Sequence, residues 1–223
     1  MMQFSAKEWA LLIGVGLASF MGNADFGIVN TAIPAIQTDL QLTFVQAQWI
    51  ANAFALSLGI FLILAGKVAD LLGRRRVFYI GITIFLIASG IAGAAPNATV
   101  LIASRALLAV GSAIMFTSSG SLVAIGFGEQ HRAKAMGIFW GIAMLGLAAG
   151  PILGGIITHF LHWRWIFFVN FPIALFSIIV CLFTIPASAN ERLNETVDWI
   201  GFVLFALFTL FINLKQLTIC IHY

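Results

Sequence analysis

Two ionisable side chains stand alone inside long uncharged stretches of this 223-residue chain. Asp25 lies in the run from Trp9 to Pro34, and Arg105 in the run from Leu101 to Gly111. A bilayer span takes about 20 apolar residues, and one charge at that depth costs roughly 2.5–3.5 kcal/mol on insertion scales. A charge kept at such a cost faces a protein interior or a water-filled cavity, where it binds or relays something. Asp25 is therefore the candidate proton or cation site, and Arg105 the candidate partner. The chemistry open to them is proton uptake and release, with the guanidinium biasing which form of the carboxyl is held. No His-rich metal cluster, nucleophile–base pair or paired catalytic carboxylates accompany them at membrane depth, so an enzyme is the least favoured reading.

The elements that must position these groups are membrane helices. Hydrophobic residues make up 61% of the chain and charged residues 9%, against about 25% charged in an ordinary soluble domain. Six spans are predicted at residues 10–34, 47–69, 77–95, 99–124, 135–158 and 165–186, with Gly and Ala frequent inside them, as close helix approach in lipid requires. A net charge of +3 does not mark a nucleic-acid binder, because the basic residues sit in the short loops between spans. One set of loops holds Lys7, Lys67, Arg74, Arg75, Arg76, Arg132, Lys134 and Arg192, and the opposite set only Arg164. The positive-inside rule then places the N-terminus in the cytoplasm. In that orientation Asp25 is roughly 22 Å into the first span from the inside, and Arg105 roughly 9 Å into the fourth from the outside, at 1.5 Å per residue. The two charges thus sit at matching heights and are candidates for a pair across a cavity. The alternative is that each is satisfied separately, by backbone carbonyls or by Asn23, Asn30 or Ser104.

Between spans two and three the chain reads Gly66-Lys67-Val68-Ala69-Asp70-Leu71-Leu72-Gly73-Arg74-Arg75-Arg76. Gly66 and Gly73 suit a tight turn with close helix approach, Asp70 suits a helix N-terminus, and the arginines can reach lipid phosphates or carboxylates. In span five, Gly146, Gly150 and Gly154 recur every four residues beside Pro151 and Gly155, so they share one face and leave a groove for another helix. Pro151 cannot donate to the Leu147 carbonyl, so a bend is expected there. No Gly-Lys-[Ser/Thr] follows these glycines, which excludes a phosphate cradle. Asn23, Asn30, Asn52 and Trp140 are candidate cavity-lining residues; Trp49, Trp163 and Trp165 read as interface markers, and His159 and His162 as solvated. Cys181 and Cys220 are isolated thiols inside apolar segments. The sequons at Asn97 and Asn194 read as chance matches.

The loop string closely resembles the G-x-x-x-D-x-x-G-R-[RK] signature of the major facilitator superfamily, secondary transporters of twelve or fourteen spans. Leu101 to Gly111 looks like that family's fourth-span motif, whose arginine is implicated in proton handling. Gly146 to Gly155 resembles its antiporter motif. Asp25 to Pro34, with the run Trp163 to Pro172, is similar to the fourteen-span drug:proton antiporter branch. Leu71 departs from a position that often carries a basic residue, and Ala109 from one that commonly carries Gln.

The resemblance implies an all-α membrane protein: a six-helix N-terminal bundle of two inverted three-helix repeats, plus a partial seventh helix. Residues 1–9 are then a cytoplasmic N-terminus, 10–186 the bundle, 187–197 a cytoplasmic linker, and 198–223 a truncated seventh span and tail. Only Trp199 to Leu214 is free of charge there, giving about 24 Å of helix against a core near 30 Å. The expectation is a truncated proton-coupled efflux carrier of lipophilic, cationic drugs or toxic compounds in a bacterial inner membrane. It would use the proton gradient and no cofactor or metal, and would work with a missing C-terminal half or a periplasmic adaptor. In it Asp25 and Arg105 couple protons, Gly66, Asp70, Gly73, Arg74 and Arg75 form the conformational loop, and Gly146, Gly150, Pro151, Gly154 and Gly155 the antiporter helix. The rival readings are a metabolite or siderophore exporter of the same superfamily and an inactive assembly fragment.

Overall fold

The computed structural model describes residues 4–185. The expected linker, the seventh span, Arg192, Asn194 and Cys220 lie outside the described residues. Helices α1 (Ala6–Asp39), α2 (Phe44–Leu72), α3 (Arg74–Gly93), α4 (Ala98–Gly126) and α5 (Glu129–Phe160) are followed by a short α6 (Trp165–Phe168) and by α7 (Asn170–Thr184). Together α6 and α7 make one span, so six stretches among the described residues are long and apolar enough to cross a membrane.

The starts of α1, α2 and α4 are written in local side chains. Ser5 and Glu8 close a capping box on α1, with Glu8 N–H donating to Ser5 Oγ at 3.3 Å and Ser5 N–H to Glu8 Oε2 at 2.7 Å. Thr43 and Gln46 repeat the device on α2. Asn97 caps α4 by accepting the Val100 N–H at 3.0 Å, which accounts for that asparagine without glycosylation. The N-terminal turn of α3 adjoins Gly73, whose φ of 90° lies where L side chains are strained.

Packing follows a reciprocal scheme. α1 lies most closely on α5; α4 packs about equally against α2 and α3, and α7 lies against α1. Each three-helix unit therefore places its first helix on the middle helix of the other unit. At the contact of α1 with α5, backbone meets backbone. A Cβ on Gly146 would lie 2.2 Å from the Phe20 carbonyl oxygen, and one on Gly150 2.9 Å from Gly27 Cα. Gly154 completes the stripe against Ile28 and Thr31. Gly155 does not share this face: nothing lies within 4 Å of a Cβ built on it, because one residue on turns it about 100° round the helix. α5 runs unbroken through Pro151, whose Cδ sits 2.9 Å from the Cβ position of Gly27. Large apolar side chains such as Leu145, Ile152, Phe160 and Phe183 remain exposed on the bundle's outside, as a lipid-facing or helix-facing surface allows.

One end of the bundle is tied by side chains. Trp163 Nε1–H donates to Asp39 Oδ2 at 2.9 Å, and Arg164 Nη1–H to the Ala95 carbonyl at 3.2 Å. These bonds link the α1–α2, α3–α4 and α5–α6 connections. Trp163 is thus buried, and not the interface marker its sequence context suggested. His162 stays half exposed, 3.7 Å from Asp39 Oδ1.

Candidate functional site

Asp25 and Arg105 meet inside the bundle, each 1% exposed. Arg105 Nη1–H donates to Asp25 Oδ2, its Nε–H donates to the Ile50 carbonyl of α2 at 3.3 Å, and its guanidinium lies 4.3 Å from the Phe54 ring centre. The arginine therefore ties α4 to α1 and α2 at once. Its planar fork explains the choice of residue, since a lysine's point charge cannot hold two partners in these directions while stacking on a ring.

Asp25 is only half satisfied: Oδ1 is buried and accepts no hydrogen bond from any described residue. Asn170, at the start of α7, is buried as well. Its Nδ2–H donates to Ser89 Oγ at 2.9 Å, and the Ser89 hydroxyl donates to the Phe167 carbonyl at 2.8 Å. A buried polar link thus ties the start of α7 to α3 and to α6. Asn170 and Ser89 were not picked out from sequence. Their signal was available for Asn170, which enters its span at a depth similar to that of Arg105 in α4.

The polar neighbours offered as separate partners for the two charges are occupied on their own helices. Asn23 Nδ2–H donates to the Ser19 carbonyl at 3.0 Å, Asn30 Nδ2–H to Phe26 at 2.9 Å, and the Ser104 hydroxyl to Leu101 at 2.7 Å.

About two turns along α1 and α4 from the pair lies a cavity of about 170 Å³, bordered by Ser19, Gly22, Asn23, Leu58, Ser112 and Phe116 among others. Of the predicted lining residues Asn23 belongs to it. Asn30, which is exposed, and Asn52 do not border it; α2 presents Leu58 and Leu62 there. Trp140 lies behind the wall, edge-on to Phe116 with ring centres 5.2 Å apart.

The loop string is placed as follows. Asp70 lies in the last turn of α2, not at that helix's N-terminus, and accepts from Arg74 Nη2–H at 3.1 Å across the start of α3. The carboxylate is tolerated at a helix C-terminus because this partner offsets it. Arg75 Nη2–H donates to the Leu182 carbonyl at 3.4 Å, in the last turn of α7, where a cation is favoured. Gly66 lies inside α2 with open space around it, so it makes neither a turn nor a close approach.

Six membrane-competent helices, a half-satisfied ion pair and a mid-bundle cavity define a transporter half. The model of the Major Facilitator Superfamily matches residues 15–220, and the chain belongs to that family. Membership places it among multi-pass membrane transporters rather than enzymes. It is 37% identical over 176 residues to the puromycin resistance protein pur8 of Streptomyces alboniger, covering 78% of this chain and 35% of that protein. It is 36% identical over 195 residues to the multidrug resistance protein Stp of Mycobacterium tuberculosis (strain CDC 1551 / Oshkosh), covering 87% and 36%. It is 31% identical over 210 residues to the riboflavin transporter RibZ of Clostridioides difficile (strain 630), covering 94% and 46%. The chain thus spans less than half the length of these relatives. A crystal structure of the peptide transporter POT in complex with alafosfalin shares the fold, with a TM-score of 0.74 at 14% identity over 95% of this chain and 46% of that one.

Proposed function

We propose that this chain is the proton-coupling half of an exporter of lipophilic small molecules, with Asp25 as the proton-binding group and Arg105 as the residue that holds it. The observation that carries this reading is the buried Asp25–Arg105 bond with Asp25 Oδ1 left open. A carboxylate with one free oxygen at membrane depth can accept a proton without first breaking every bond it makes. On protonation its pull on the guanidinium weakens, so the tie between α1, α2 and α4 loosens. That change is the kind that shifts a helix bundle between two packings. The proton gradient supplies the energy, and no cofactor or metal takes part.

The charge bias of the loops supports an N-terminus in the cytoplasm of a bacterial cell, with the multi-pass bundle in the inner membrane. Alternating access needs a second bundle to rock against, and the smooth α1–α5 contact and the Gly73 loop suit a hinge on this side of such a pair. The drug-resistance proteins among the relatives support export. RibZ favours a second reading, an exporter or carrier of an aromatic metabolite within the same superfamily.

The test is transport of puromycin and of riboflavin by inverted membrane vesicles under an imposed pH gradient, with this chain co-expressed with the C-terminal half of a full-length relative and shown to transport, comparing that pair with the same pair carrying Asp25→Asn. Gradient-driven transport is expected to vanish in the variant while membrane insertion is kept. Unchanged transport in Asp25→Asn would refute the assignment, and transport of riboflavin alone would select the second reading.

A further inference from the structure

The cavity between α1, α2 and α4 has a property that the proton reading does not use. Three hydroxyls in these helices bond back to their own backbone: Thr117 to Ala113, Ser118 to Ile114 and Ser104 to Leu101, at 2.9, 2.7 and 2.7 Å. Ser119 has no partner among the described residues but does not border the cavity. Ser19 and Ser112 differ from all of these. They are 2% and 5% exposed, their oxygens are buried, and neither has a partner among the described residues. Both border the cavity, one from α1 and one from α4. Gly22, one turn after Ser19, keeps the space between them open, since a Cβ there would lie 3.3 Å from Ser112 Oγ. None of the bordering residues carries a charge, and the rest of the wall is mostly apolar, with Leu58, Leu62, Met115 and Phe116.

A buried hydroxyl without a partner loses free energy that a neighbouring carbonyl would return. Two such groups converging on one apolar space are therefore set up for a guest. A cavity of about 170 Å³ compares with the roughly 150 Å³ that takes up a benzene-sized molecule, and falls short of the ~300–1,000 Å³ that encloses a whole drug-sized ligand. We infer that this cavity receives one uncharged, ring-sized apolar group of the substrate, and that the Ser19 and Ser112 hydroxyls read a hydrogen-bonding edge on that ring. Any cationic part of the substrate is held elsewhere. Six to seven residues separate these serines from Asp25 and Arg105 on the same two helices, a rise of roughly 9–10 Å, so the guest and the proton act on the same two helices. The inference rests on the reading of the chain as a small-molecule carrier.

The experiment is equilibrium dialysis of the purified 223-residue chain in detergent, with protein-free micelles as the reference, against two uncharged probes of equal shape. 1-Naphthol carries the edge and 1-methylnaphthalene lacks it. The chain is expected to bind 1-naphthol about three- to tenfold more tightly, the span of one or two net hydrogen bonds. Ser19→Ala/Ser112→Ala is expected to remove that preference and leave 1-methylnaphthalene binding unchanged, whereas Ser118→Ala, whose hydroxyl is already bonded, retains it. Equal affinity of the unaltered chain for both probes overturns the inference even where the double variant fails to fold, and so does a preference that survives in the double variant. No gradient is applied. Failure here with Asp25-dependent transport intact therefore sinks only the cavity, and success here with Asp25-independent transport sinks only the proton site.

Discussion

Replacing Gly146 by Ala tests whether α1 and α5 are held at backbone contact. The added Cβ would lie 2.2 Å from the Phe20 carbonyl oxygen, 2.9 Å from its carbon and 3.0 Å from its Cα. All three are backbone atoms, so no rotamer change relieves the clash. Ordinary contact begins near 3.4 Å, so the two helices must part by about 1 Å, and overpacking of that order costs about 1–3 kcal/mol. Gly155 supplies the internal control. It lies in the same helix with nothing within 4 Å of its Cβ position, so Gly155→Ala gains helix propensity of up to about 1 kcal/mol and meets no clash. Gly146→Ala gains the same propensity in the same helix, so the two variants should differ by the clash alone, about 1–3 kcal/mol, with Gly146→Ala the less stable. Unfolding of the detergent-solubilised chain, followed by helical circular dichroism during titration with SDS, reads the difference. Equal midpoints for the two variants would refute the packing described here.

Arg105→Ala should destabilise the chain by about 3–5 kcal/mol, because it leaves a buried carboxylate unpaired; in the same titration the Asp25→Ala/Arg105→Ala double variant should lose less than the sum of the single losses, and strict additivity would argue against the pair. Gly73→Ala should cost about 1–3 kcal/mol through its φ of 90°, while Gly66→Ala, in open helix, should be neutral or stabilising; a larger loss at Gly66 would contradict the loop geometry. Trp163→Phe keeps a ring but removes the bond to Asp39, so it should cost about 1 kcal/mol and speed proteolysis at the α5–α6 connection. Raising ionic strength should change that cost little, since the charged contacts of Asp39 to His162 and Arg164 are 3.7 Å long and exposed.

The spans, their order and the family were legible in the sequence, because hydrocarbon accepts few structures and the pattern that satisfies it repeats every 20-odd residues. Helix starts at Ser5, Thr43 and Asn97 were equally local, each depending on a side chain three residues from the amide it caps. The matching heights of Asp25 and Arg105 followed from rise per residue alone. Height is not azimuth, however. Which way each residue points around its helix depends on the neighbours that pack there, and one-dimensional spacing says nothing of those.

That missing coordinate is what the folded bundle supplies. Gly155 is adjacent to the packing stripe in sequence and turned away from it in space. Asn30 and Asn52 do not border the space between α1, α2 and α4, and Trp163 is buried where Asp39, far away in the chain, accepts its N–H. Asn170 reaches Ser89 only because α7 packs beside α3. Burial cost can be summed along a chain, so the sequence determined that this is a membrane transporter with an acid and a base at one level. Hydrogen bonds have direction, so only the folded bundle decided that the arginine reaches that acid and the Ile50 carbonyl together, and which two serines are left facing an empty space.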